Sequence, residues 1–550
     1  MAMSDDTPSE DVVKGRTIEK PGAKAKRPTY KSLMASKGID GLSTKLALLK
    51  IGLLIDASEG SRRSAGITRA LEWCNALEAR GLAPVEQTEL DYFRANAWDE
   101  RRPRFKRQRT AAWQWEQPAL QEEILWLRRA RIGDGFKHLH RNRQCEILTN
   151  LGNQFSTAGR MVEALEQWSE ALTIQPRFWM ARGNRASGLV RYAQYLHSEH
   201  HAGVLYLHAH KDLTRAIDDA ASHEHFGHRE AREYFEREKA WIDFRVDIAG
   251  VSEHFEPDAG TLGTSQAEQR YRHWCLRNQL FLNPISDAVE CAAAADDELG
   301  LPDFVTKIGD PPTLIGFFNQ LKQEYVSARW AYYTGTHSDR PHFSDRSVTL
   351  ANTLDYPAYG LAVEQVRTSY RVTYSLFDKV AFFINSYFNL GIPLKEVSFR
   401  RVWSDKKGAN SVVAARFDRS KNLPLRGLYW LSKDLLDPVF KDVMDPDAHA
   451  LSEIRNHLEH RYLKLHEIFL GKAGPQTPVA GDTFVDTMAY SVARQDFEEK
   501  TLRILKLVRA ALIYLVLGMY VEEQRRRRAR RSKKPLFGQS LPIIEHKRKR

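Results

Sequence analysis

Three stretches in the C-terminal half constrain the fold of this chain most. "LAVEQVRTSYRVTYSLFDKVAFFINSYFNL", Leu361 to Leu390, carries Val366, Tyr370, Phe377, Val380, Ile384 and Tyr387 at helical spacing. "DFEEKTLRILKLVRAALIYLVLGMYVEEQ", Asp496 to Gln524, repeats Leu505, Val508, Leu512, Leu515 and Met519 in the same way. Between them lies "SEIRNHLEHRYLKLHEIF", Ser452 to Phe469. Wound as one helix at about 100° per residue, it puts Ile454, Leu458, Tyr462, Leu465 and Phe469 on one stripe with the preceding Leu451. Helices with a single apolar stripe can hide it only against one another, which predicts an antiparallel helical bundle over residues 355–524. With no run of alternating strands and no glycine-rich phosphate loop, the expected fold class is all-α.

The rest of the chain divides by composition. At 550 residues and 42% apolar, it is long enough for several cores. Residues 1–40 lack periodicity and read as a disordered leader. Residues 41–110 form a helical N-terminal segment ending in a basic loop, "RRPRFKRQR", Arg101 to Arg109. Residues 111–250 read as helical repeats and 251–354 as a helical connecting region. In "CEILTNLGNQFSTAGRMVEALEQWSEALTIQP", from Cys145, small residues at Gly152, Ala164 and Ala171 let two antiparallel helices approach closely. Phe155 and Trp168 fill the gaps, and Pro176 ends the second helix. This segment resembles the tetratricopeptide (TPR) repeat, whose units stack because one alone cannot bury its own face. Degenerate copies flank it.

Charge and cysteines narrow the function. Residues 525–550 hold twelve Lys or Arg and one acid, Glu545, hence +11 of the formal net +12. The body is close to neutral and is not a basic DNA-binding surface. The tail is expected to be a disordered basic segment, either merely solvated or recruiting RNA through Arg525, Arg526, Arg527, Arg528, Arg530 and Arg531. Four scattered cysteines with no CxxC pair suit a reducing, cytoplasmic location. The longest greasy run, Leu507 to Tyr520, contains Arg509 and falls short of the roughly 20 residues a bilayer needs. Eight histidines lie between His197 and His228. Without HExxH or a ligand triad they read as solvated or backbone-bonded, against a metal-site alternative. No metal or cofactor is expected.

On the Ser452–Phe469 wheel, Arg455 falls at the edge of the apolar stripe, while Asn456 and His460 share the face nearly opposite. Four Arg/His pairs with four to six intervening residues occur: Arg131/His138, Arg191/His197, Arg455/His460 and Arg461/His466. Context selects Arg455/His460, with a polar residue after the arginine. Arg455-Asn456 and His460 on a bundle helix resemble the signature of the HEPN superfamily of helical-bundle ribonucleases. The order of parts, repeats, then "FLNPISDA", "YWLSKDL" and the motif helix, resembles a bacterial group of TPR–HEPN proteins. The resemblance implies an N-terminal TPR-like region followed by a HEPN-type bundle. It further implies a metal-independent endoribonuclease acting as a TPR-regulated toxin or anti-phage effector. In it His460 is the proton-transfer or scissile-phosphate group, Arg455 the phosphate holder and Asn456 the positioning amide. Implied partners are RNA, a second copy of the chain across the bundle, and a protein docked on the repeats, with no membrane. The alternative is a non-catalytic TPR/HEPN interaction protein that binds RNA and a protein partner.

Overall fold

The computed structural model describes residues 28–58, 64–102, 113–221, 229–338, 340–405, 413–418, 420–436, 446–467, 474–475, 486, 488–530, 538 and 540–545. The expectations for residues 1–27, 103–109 and Arg531 lie outside them. Among the described residues the chain is all-α apart from one small sheet. It begins with α1 (Tyr30–Ala35), α2 (Thr44–Ser58), α3 (Ser64–Glu78) and α4 (Pro84–Asp99). These enclose a core of their own that includes Leu33, Ile39, Leu48, Ile51, Trp73 and Leu77. The leader expected through residue 40 therefore stops earlier: the Thr29 hydroxyl caps α1, and Leu33 and Ile39 are buried. At the start of the basic knot, Arg102 donates to Gln154 and Asp99, so that side chain is spent on the protein's own acceptors.

An array of helices follows: α5 (Pro118–Ile132), α6 (Arg141–Ala158), α7 (Met161–Ile174), α8 (Trp179–Tyr195), α9 (Glu199–Ala221), α10 (Arg229–Arg245), α11 (Ile248–His254) and α12 (Gln266–Arg277). From α5 to α10 each packs on its neighbour in sequence. The small residues do what their size allows. A Cβ on Gly152 would meet the Trp168 indole at 2.6 Å, and one on Gly188 would meet it at 2.4 Å. One tryptophan thus holds α6, α7 and α8 together, with its N–H donating to Asn153. Deeper in the array Glu238 is buried beside Ser187 and Tyr234, and burial pushes its carboxyl up to about 7.

The C-terminal bundle is built from α13 (Thr313–Thr336), α14 (Leu361–Tyr387), the short α15 (Ala415–Asp418), α16 (Leu423–Leu436), α17 (Pro446–His460) and α18 (Arg494–Ala529). Between α17 and α18 lie β1 (Leu463–His466), β2 (Gly474–Pro475) and β3 (Tyr490–Ala493), in the order β1-β3-β2. β1 runs parallel to β3, and β2 antiparallel to it. The stripes of α14 and α18 face each other as expected: Val366, Tyr370, Phe377, Val380 and Ile384 are buried, as are Leu505, Val508, Leu512 and Leu515. The bundle also takes in α13, which packs along α14 and was expected in the connecting region. By length and composition α18 is apolar enough to cross a membrane, and 83% of its most apolar window is buried within the protein.

Array and bundle share one core, running from Tyr92 to Met519. At the seam backbones touch: a Cβ on Gly159 would meet the Leu423 carbonyl, and one on Gly427 the Gly159 carbonyl, both at 2.2 Å. Gly159 also needs its φ of 91° to end α6. Around this contact, Arg128 of α5 grips Asp434 of α16 with two bonds of 2.9 and 2.6 Å. Arg160 bonds the same carboxylate and Glu163, and the Tyr514 hydroxyl of α18 donates to Glu163. Burial pushes the Asp434 carboxyl up, but the two guanidiniums outweigh it and hold it below the usual range. A second arginine orders the connecting region. Arg509, inside the greasy run, donates to Asp287, Ser286 and the carbonyls of Phe281 and Asn283, which fixes the turn in "FLNPISDA".

Two outcomes follow from these buried charges. Asp434→Ala leaves two buried guanidiniums without their shared partner and should lower unfolding free energy by about 3–5 kcal/mol in urea denaturation. Arg229→Ala, which loses only an exposed i,i+4 pair, should leave the midpoint unchanged. Glu238 behaves oppositely to a paired acid. Its raised folded-state pKa means that the unfolded chain gives up this proton first, so stability falls as pH rises from about 4.5 to about 7. Glu238→Gln should match the parent at pH 4 and be more stable at pH 8 by up to about 3 kcal/mol, read from urea midpoints across pH.

Candidate functional site

Helix α17 lies against α14 and α16, and its buried side is Leu451, Ile454 and Leu458, as the wheel requires. It stops at His460, not at Phe469. Leu463–His466 pairs with Tyr490–Ala493, the Tyr490 N–H donates to the Tyr462 carbonyl, and the Ala358 N–H to that of Leu465. Both faces of β1 are buried, so its apolar residues satisfy a helical count and a strand equally well. Tyr462, expected in the core stripe, is instead 40% exposed, and Phe469 lies outside the described residues.

Arg455 is half-buried, with its guanidinium carbon 5.5 Å from the centre of the Tyr374 ring on α14. An aromatic face attracts the cation without occupying its N–H fork, and Arg455 makes no ion pair among the described residues. Asn456 is also half-buried. His460 is the last residue of α17, four positions from Asn456 on a continuous helix, so the two belong to one face of its backbone. The side chain of His460 lies outside the described residues. The other histidine of "RNHLEH" is structural: His457 is buried, its Nδ1–H donates to the Glu453 carbonyl at 2.8 Å, and its ring packs on Tyr490.

Two arginines that sequence reading missed hold the end of α17 and the start of β1. Arg371 donates to the Leu458 carbonyl at 2.9 Å, and Arg367 to that of Leu463 at 3.0 Å. Both come from α14, one helical turn apart. Arg371 sits where a helix leaves carbonyls unpaired and where its dipole favours cations. The spacing of both arginines beside the stripe of α14 was the available signal. On the far side Lys464, buried in β1, pairs with Asp355 at 2.6 Å and Asp486 at 2.8 Å.

Of the four Arg/His pairs, Arg455 and His460 alone share one helix. Arg131 of α5 pairs with Glu170 of α7, while His138 lies in a separate turn. Arg191 bonds Ser156, and His197 lies beyond the end of α8. Arg461 follows α17, and His466 is buried in β1, bonding the Asp355 carbonyl. In the histidine patch His201 pairs with Glu298 and His210 with Asp243, while His223, His225 and His228 lie outside the described residues. Among the described residues no three potential metal ligands converge.

The basic tail begins differently from its expectation. Helix α18 continues to Ala529, so Arg525 to Arg528 are helical. Arg525 and Arg526 pair with Glu522 three and four residues back, and Arg526 also with Glu523. Arg528 and Arg530 are exposed, and Arg527 is 3.8 Å from Asp303.

Residues 305–522 match the LA2681-like HEPN family, so a HEPN-family domain is present there. The match starts well before the boundary expected at residue 355 and takes in α13. Nothing among curated proteins and nothing among solved structures matches the chain.

Because a bond from a charged donor is what holds the last turn of α17, Arg371→Ala should loosen that turn locally. Amide hydrogen exchange at residues 458–461 should rise roughly tenfold while exchange in α14 and α18 stays as in the parent.

Proposed function

We propose that the chain is a metal-independent endoribonuclease whose reacting groups are Arg455, Asn456 and His460. The reading is carried by Arg455, held against Tyr374 and without an ion pair among the described residues, on the same helix as His460 and within a HEPN-family domain. In this reading the ribose 2′-hydroxyl attacks the adjacent phosphate, the bond to the 5′-oxygen breaks, and a 2′,3′-cyclic phosphate remains. His460 exchanges the proton between the attacking and leaving oxygens, a task for an imidazole near neutral pH. Arg455 binds two phosphate oxygens through its planar fork as charge builds in the phosphorane. Asn456 orients the same phosphate through its amide.

We read the active unit as a homodimer, since two copies of α17 brought face to face would enclose the cleft. The N-terminal helices would then be a TPR-like docking region that couples a protein partner to the bundle through the shared core. A cytoplasmic toxin or anti-phage effector fits that layout. The exposed arginines beyond Arg526 would add sequence-independent attraction for RNA.

Total RNA incubated with the protein in EDTA should yield fragments ending in 2′,3′-cyclic phosphate. His460→Ala should slow cleavage roughly a hundredfold to ten-thousandfold, and Arg455→Ala should slow it as well. Wild-type rates in purified His460→Ala would refute the assignment. A mobility shift without fragments would support the non-catalytic RNA-binding alternative.

A further inference from the structure

Beside the end of α17 the chain exposes a set of aromatic rings. Tyr462, two residues after His460, is 40% exposed; Tyr359 is 47% and Tyr356 72% exposed. The loop carrying the last two is strapped onto β1. Asp355 bonds Lys464 and His466, the Ala358 N–H donates to the Leu465 carbonyl at 2.6 Å, and Pro357 bridges His466. Within this strap Leu354 and Tyr356 adopt left-handed backbones, with φ of 66° and 50°. Non-glycine residues adopt that region at a cost, and strain of this kind persists where surrounding bonds enforce it. Here it places a large ring in solvent rather than in a core.

The pairing of the strap with β1 brings the segments that carry these rings into one strip of surface. Lys464, in β1, approaches the Tyr462 face at 5.4 Å. Positive charge lies along the strip. Arg461, between His460 and Tyr462, is exposed and makes no ion pair among the described residues. Arg371 lies at the same helix end, 3.9 Å from Glu459. Exposed aromatic faces interleaved with an uncommitted guanidinium match unstacked bases joined by phosphates, because every base has a face to stack and every linkage a charge.

We infer that Tyr356, Tyr359 and Tyr462, with Arg461, form a stacking subsite for the unpaired bases that flank the phosphate presented to Arg455 and His460. The inference rests on the ribonuclease reading for its location in the reaction, and it makes the substrate single-stranded RNA. It also gives the strained strap a purpose, since Tyr356 is 72% exposed. A duplex keeps its bases stacked on one another and offers this surface nothing.

The test separates binding from cleavage. The full chain is titrated in EDTA with a fluorescently labelled 2′-O-methyl RNA oligomer, which lacks the attacking hydroxyl. The comparison ligand is an abasic oligomer of equal length and charge. Wild type should bind the oligomer with bases more tightly, and each of Tyr356→Ala, Tyr359→Ala and Tyr462→Ala should weaken that binding about five- to a hundredfold. Tyr→Phe at the same positions should retain the affinity, since the ring face is kept. Equal affinity for the two oligomers, which needs no variant and so no assumption about folding, overturns the subsite. So does unchanged RNA binding by the alanine variants together with a shift from dimer to monomer in light scattering, which would assign the strip to a second copy of the chain. If wild type shows no cleavage yet the tyrosine dependence holds, the subsite stands and the catalytic reading falls.

Discussion

Asp434 is the charge on which the arrangement of this protein depends. It is buried, and two guanidiniums from the N-terminal helices, Arg128 and Arg160, close on it. A buried ion cluster gains little over an apolar packing of the same shape, yet it tolerates no other partner geometry. That intolerance fixes how α16 sits against α5 and against the turn between α6 and α7. The Gly159–Gly427 contact shows the same constraint in steric form, since neither backbone has room for a methyl group. The helical array is therefore bound into the core of the HEPN-family domain and not hung beside it.

This coupling reaches the candidate site through few steps. Helix α16 carries Asp434 near its C-terminal end and packs on α17, the helix of Arg455 and His460. Helix α14 supplies the other wall, giving Tyr374 to Arg455 and Arg371 to the Leu458 carbonyl. Any movement of the array that shifted α16 would be felt at α17, because close-packed helices move as discrete bodies. This gives a physical route by which an event on the N-terminal helices could alter the site.

Much of the candidate site was legible in the sequence, and what was not follows a pattern. Leu451, Ile454 and Leu458 lie on the buried face of α17 because a single helix dictates their spacing. Beyond His460 the same counting failed. Leu463 and Leu465 alternate as well as they repeat, and what decided for a strand was Tyr490–Ala493, a segment distant in sequence. Arg367 and Arg371 were passed over because nothing local to "VRTSYR" says that its cations meet the end of another helix. Arg525 and Arg526 read as loose tail because pairing with Glu522 and Glu523 counts only if α18 runs on past Gln524.

The sequence alone determined the helical class, the stripes of α14 and α18, and the placing of Arg455, Asn456 and His460 on one bundle helix. These are properties of neighbours along the chain, set by a period of 3.6 residues and the need to bury apolar faces. Tertiary structure alone decided where α17 ends, that Asp434 belongs to Arg128 and Arg160, and that the strap of Tyr356 and Tyr359 pairs with β1. Each of those joins residues far apart in the chain, and no local periodicity carries the energy of a contact whose two halves are so distant.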